Sequence, residues 1–176
     1  AAVVVSEMLS SRGVRAEMVP SGRIHPVALR DRNVVLIGRS EYNQDLNLML
    51  PDHGLAIDYN PSLRRLGVQN RRPAHGEPEW WFCSASRRQN YGLVSVLSNG
   101  DDSQTRTIIF SGVNSDGAEA GARFLTTDYG LRQLEQEMKK EGYTRWPARF
   151  QVVVRTDSIE AYTVRSSLSF LRVLDR

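Results

Sequence analysis

The chain has little with which to do chemistry. One cysteine, Cys83, and three histidines, His25, His53 and His75, are its whole supply of the side chains most used as nucleophiles or soft metal ligands. A lone cysteine excludes an internal disulfide. A reactive thiolate needs a histidine, a cation or a helix N-terminus beside it; Cys83 instead follows Trp80-Trp81-Phe82 in an apolar stretch, so it is read as packing. The histidines all fall in turn-like stretches, and no two are spaced to share a helix face, so no metal site is expected. No apolar run approaches the ~20 residues of a bilayer span. Residues 1–5 lack the basic lead and the length of a signal peptide. The expectation is a soluble, cytoplasmic chain with no cofactor, no metal and no membrane contact. The helical pattern that opens the chain has no capping residue before it, and it reads as a piece of a longer protein with a strand upstream.

What is present suits one domain. At 176 residues the chain can bury a continuous core without covalent staples, and 40% hydrophobic with 24% charged residues excludes disordered, coiled-coil and collagen-like classes. The net charge of +3 is mostly arginine, and the arginines are scattered singly or in pairs such as Arg64-Arg65, Arg71-Arg72 and Arg87-Arg88. Nucleic-acid affinity comes from positive charge gathered on one face. A nucleic-acid partner is therefore not expected.

Hydrophobic periodicity predicts a helix over 2–9, a strand over 14–19, one helical turn near 26–29, a strand over 34–38 and a helix over 44–50. The middle third then breaks into short β-rich stretches, 55–59, 66–69, 79–84 and 91–97. The turn signals Asn60-Pro61, Arg72-Pro73 and Asn99-Gly100 separate them, as in an antiparallel meander. A strand over 107–111 leads into helices over 118–125 and 129–141, and strands over 150–155 and 166–174 close the chain. Val34-Val35-Leu36-Ile37 is apolar without alternation, which argues for a strand covered on both faces. Together these patterns predict an α/β domain, Rossmann-like or flavodoxin-like, with a mostly parallel central sheet and a β-rich antiparallel insertion.

Several segments carry a resemblance: Asn33 to Gly38 with Glu41-Tyr42-Asn43, Tyr91 to Ser95, Ile108 to Gly112 with Gly117 to Gly121, and Phe150 to Thr156. In these the chain resembles an uncharacterised bacterial α/β domain, found especially in soil bacteria, that follows winged-helix or other signalling segments. Where that family's loop after the second apolar strand has two glycines, this chain has Gly38-Arg39. The resemblance implies a module attached to an effector segment, and it brings no catalytic residues.

Two strand-loop-helix units, after Ile37 and after Ser111, should place their loops on one edge of a parallel sheet, where open α/β sheets bind ligands. Helix N-termini there offer unpaired N–H groups and a positive dipole end, which suit phosphate or carboxylate. The candidate ligand-binding residues are Gly38, Arg39, Ser40, Asn43, Gly112, Asn114, Ser115 and Gly117, with Asp116 as the helix cap. Such glycine loops also occur as plain turns. The segment 112–117 lacks the Gly-Lys-Ser/Thr ending of a P-loop and the three glycines of a dinucleotide fingerprint. The aromatic run Trp80, Trp81 and Phe82 is the candidate interface: alternation puts Trp80 and Phe82 on one side and Trp81 on the other.

The leading functional reading is a non-enzymatic sensor or assembly module that binds a small anionic ligand or a partner subunit at the two glycine loops. A second is a structural subunit that self-associates through the aromatic strand and the edges of the meander. A third is a nucleotide hydrolase that uses Asp116 or Glu119.

Overall fold

The structure, a computed structural model, describes residues 1–20, 31–39, 54–86, 88–99, 104–159 and 162–174. Among these, eight strands and three helices are present: α1 (Ala2–Ser11), β1 (Val34–Ile37), β2 (Leu55–Asn60), β3 (Arg65–Asn70), β4 (Trp80–Trp81), β5 (Gln89–Ser98), β6 (Arg106–Gly112), α2 (Ser115–Thr126), α3 (Asp128–Lys140), β7 (Phe150–Ile159) and β8 (Tyr162–Val173). Five strands form one sheet in the order β1-β6-β5-β7-β8, and β2-β3-β4 form a second. The only parallel pair in the large sheet is β1 with β6; β5 is antiparallel to both β6 and β7, and β8 is antiparallel to β7.

The expected mostly parallel Rossmann-like or flavodoxin-like sheet is therefore wrong. The molecule is mainly β, with a mixed five-stranded sheet and an antiparallel three-stranded sheet. The expectation failed for a physical reason: an uninterrupted apolar run reports that both faces of a strand are covered, not what covers them. One face of the large sheet carries the helices, where Val94, Phe110, Val152 and Val154 pack with Val5, Phe124, Leu134 and Met138. The other face carries the small sheet, through Leu55, Val68, Trp81, Leu93 and Val153, with the rings of Trp81 and Phe170 5.2 Å apart. Among the described residues β1 itself is an edge strand, with Val35 36% and Ile37 37% exposed.

The pairing of Ile37 with Phe110, side by side and in the same direction, is present as expected. Of the expected four-stretch meander, the first three stretches pair as β2-β3-β4, with Leu63 N donating to Asn60 Oδ1 at the β2–β3 turn, whereas the fourth, 91–97, is β5 in the middle of the large sheet. The stretch 79–84 shortens to the two residues of β4 plus a bridge between Ser84 and Gln89. The strand expected over 14–19 is absent; that segment is irregular and exposed, and Val14, Met18 and Val19 pair with no strand among the described residues. The helical turn near 26–29 and the helix over 44–50 lie outside the described residues.

A buried polar side chain fastens the two sheets. Gln151, fully buried in β7, accepts from Leu55 N at 2.6 Å and donates from Nε2 to Leu55 O and to Ser95 Oγ, both at 2.9 Å. Its amide completes the backbone of the first β2 residue much as a neighbouring strand would.

A second link is ionic. Glu77, in the β3–β4 connection, accepts from Ala74 N at 2.9 Å and Asn70 Nδ2 at 3.1 Å, and it pairs with Arg172 of β8. Arg172 also donates to Arg72 O at 3.0 Å. Burial alone would raise the Glu77 pKa, but the Ala74 N–H, the Asn70 amide and the Arg172 guanidinium together hold it below the ordinary carboxylate value. A lowered folded-state pKa contributes stability that is complete above the unfolded value and is lost as pH falls through the folded one. Glu77→Gln should cost about 2 kcal/mol at neutral pH. The gap between variant and wild type, read from urea midpoints across an acid pH series, should shrink toward zero below the carboxylate range.

Candidate functional site

The loops after β1 and β6 do meet. Gly38 N donates to Phe110 O at 3.0 Å, continuing the parallel ladder by one step, and Arg39 Nη1 reaches Val113 O at 3.4 Å. Gly38 has φ +139, a conformation L side chains rarely adopt, and nothing crowds its Cα. Of the eight residues expected at this rim, the structure brings together Gly38, Arg39, Gly112, Asn114, Ser115 and Gly117. Ser40 and Asn43 lie outside the described residues.

The glycines after β6 serve a different purpose from the one expected. A Cβ on Gly92 would lie 2.0 Å from Gly117 O, one on Gly117 would lie 2.2 Å from Tyr91 O, and one on Gly112 would lie 2.3 Å from Ala118 N. In each case the obstacle is backbone. Gly92 of β5, Gly112 of β6 and Gly117 of α2 let the start of the helix sit directly on the sheet, so no gap for a ligand opens between them. Gly92 was not legible as a partner from the sequence, because its role depends on an antiparallel neighbour 25 residues away from Gly117.

The helix end is also electrostatically occupied. Asn114, not Asp116, is the cap: its Oδ1 accepts from Gly117 N at 3.0 Å, and its Nδ2 donates to Asn90 Oδ1 at 2.8 Å. Asp116 places a carboxylate in the first turn, held by Asn90 Nδ2 at 3.5 Å and Ser115 Oγ at 3.4 Å, where it complements the helix dipole itself. An incoming anion would face that carboxylate and compete with the cap. Asn114→Ala should lower stability by about 1 kcal/mol through the lost cap, measurable as a shifted urea midpoint with unchanged slope.

The other sequence candidates separate. Trp81 is buried between the sheets, whereas Trp80 and Phe82 stack on the opposite face with centroids 5.3 Å apart. The Arg65 guanidinium lies 4.1 Å over the Phe82 ring, and Phe82 lies across Gly67, where a Cβ would meet it at 2.8 Å. Both faces of the Phe82 ring are thus engaged within the small sheet, one by Trp80 and one by Arg65. Cys83 is half-buried, and burial pushes its thiol pKa up, away from thiolate chemistry. Glu119 pairs with Arg123 at 2.8 Å on the outer face of α2. Among the described residues no group of three His, Cys, Asp or Glu side chains could hold a metal, and no helix is long and apolar enough to cross a membrane. Two concavities stand out, one beside Ser10 to Ala16 and one along β8, and neither opens at the rim.

What the rim does offer is an edge. Since Gly38 N points to β6, alternation turns the N–H groups of Val35 and Ile37 away from it, and their side chains, each more than a third exposed, lie on the helix-bearing face. Comparison with protein-family models, with curated proteins and with solved structures gives no match.

Proposed function

We propose that the chain is a non-enzymatic assembly module that takes a partner subunit, a second copy of itself, along β1 and the rim beyond it. The observation that supports this is the short apolar edge: two outward N–H groups and two exposed β-branched side chains, Val35 and Ile37, next to the loops where β1 and β6 end. Two such edges set antiparallel across a twofold axis would join two five-stranded sheets and bury both side chains, an isologous contact. A small anion at the α2 end has weaker support, given the engaged cap and the Asp116 carboxylate. Pairing of modules also suits the setting the resemblance implies, in which a signalling segment is brought together when its module pairs.

Light scattering on the eluting peak tests the reading. The wild-type chain should run as a dimer that dissociates on dilution, and Val35→Lys with Ile37→Lys should run as a monomer whose urea midpoint is independent of concentration and close to that of the diluted wild type. A wild-type chain that stays monomeric at high concentration, or a dimer indifferent to both lysines, contradicts it.

A further inference from the structure

At the opposite end of the sheet from β1, β8 is paired only with β7 among the described residues. Leu174 N donates to Arg149 O, and Phe150 pairs with Val173, so hydrogen-bonded pairs fall at Leu174, Arg172 and Phe170. In an antiparallel ladder the residues between them turn their backbone groups to the other side. Leu171 and Val173 thus present N–H and C=O to the open edge. Further along β8, that kind of exposure is already satisfied: Leu168 N donates to Gln133 Oε1 of α3 at 3.2 Å. At Leu171 and Val173 no side chain among the described residues does this.

The unplugged stretch lies in a groove of about 330 Å³. Leu171 to Val173 form its floor, the β3–β4 connection through Arg72, Ala74 and Glu77 forms one wall, and the end of α3 and the turn after it, through Glu141 and Tyr143, form the other. We propose that this groove docks an extended peptide segment of a partner protein, which adds to the sheet as a sixth strand beside β8. Outward N–H and C=O groups between two walls match the backbone of an extended chain, the mode in which main-chain bonds give affinity and alternate side chains give specificity.

The two sides of the groove differ in chemistry, and this defines the segment. Leu171 and Val173 belong to the helix-face cluster together with Tyr143, so alternate residues of the segment meet apolar surface, with the Glu141 carboxylate also lining that side. The residues between them meet the Arg172–Glu77 pair and Arg72, so they are polar. A second folded copy fits this edge poorly, because each copy would bring its own pair of walls against the other's. The groove is also distinct from the β1 edge proposed for self-association, and the two can fail separately.

A displayed library of random short peptides, selected on the full chain, tests the proposal. Selected peptides should share an apolar-polar alternation, and a synthetic one should slow amide exchange at Leu171 and Val173 while leaving Val35 and Ile37 unchanged. N-methylation of the peptide should abolish binding only at alternate positions. Ala74→Trp, at an exposed wall position, should weaken binding roughly tenfold or more while the fold is retained. The proposal is overturned if no peptide is enriched, if protection falls elsewhere, or if N-methylation has no alternating effect. It is also overturned if the Leu171 and Val173 amides are already slow in the free chain, or slow with concentration as the mass doubles, since the edge is then closed or taken by a second copy.

Discussion

Gly117→Ala should destabilise the protein by about 3 kcal/mol or more, at or beyond the upper end of what overpacked cores usually cost. The added Cβ would stand 2.2 Å from Tyr91 O and 2.8 Å from Tyr91 C, and neither can move without distorting β5. The helix would have to lift from the sheet at its first turn, loosening Ala118, Ala120 and Ala122, which are buried beneath it. Gly92→Ala should behave alike, since its Cβ would meet Gly117 O at 2.0 Å. Gly121→Ala is the control: there the nearest atom is a methyl of Val94 at 2.9 Å, a side chain that can turn, and the loss should be much smaller. Urea midpoints of the three variants decide between a packing role and a mere turn. A wild-type midpoint for Gly117→Ala would refute the packing account.

Gln151→Leu is the second large effect. Leucine fills similar space, but it leaves Leu55 N–H and C=O buried without partners, and Ser95 Oγ loses its donor. Each unsatisfied buried group costs about 1–3 kcal/mol, so a total near 3 kcal/mol is expected. The damage should be local before it is global: the small sheet is held to the large one by this amide, by the Trp81 cluster and by the Glu77–Arg172 pair. Trp81 sits between the layers, so in a chain with Trp80 and Trp146 replaced by Phe its fluorescence should respond at lower urea than the far-ultraviolet signal. A single transition with a midpoint near that of the wild type would refute the fastening role.

The sequence carried the local signals and missed the long-range ones. The apolar runs at Val34 to Ile37 and Ile108 to Phe110 identified two strands whose parallel pairing is present, and the helices expected over 118–125 and 129–141 stand as α2 and α3. The same runs led to the wrong fold class, because burial on both faces does not distinguish a layer of helices from a layer of strands. Asn114 and Asp116 are both good caps, and only the observed contact with Gly117 N separates them. Gln151 left one faint mark, a polar residue inside Phe150 to Val154, but its partner Leu55 is 96 positions away. Arg172 and Glu77 are 95 apart and left none. The places of β1 and β8 at the two ends of the described sheet follow from strand order, which no local pattern encodes.

The proposed assembly of two copies rests on the side of β1 turned away from β6, and residue-resolved amide exchange tests it most directly. The Val35 and Ile37 amides, which point away from β6, should exchange fast in dilute protein and slow as concentration rises, while the Gly38 amide stays protected throughout by Phe110 O. Val35 and Ile37 amides that stay fast at every concentration would contradict the account.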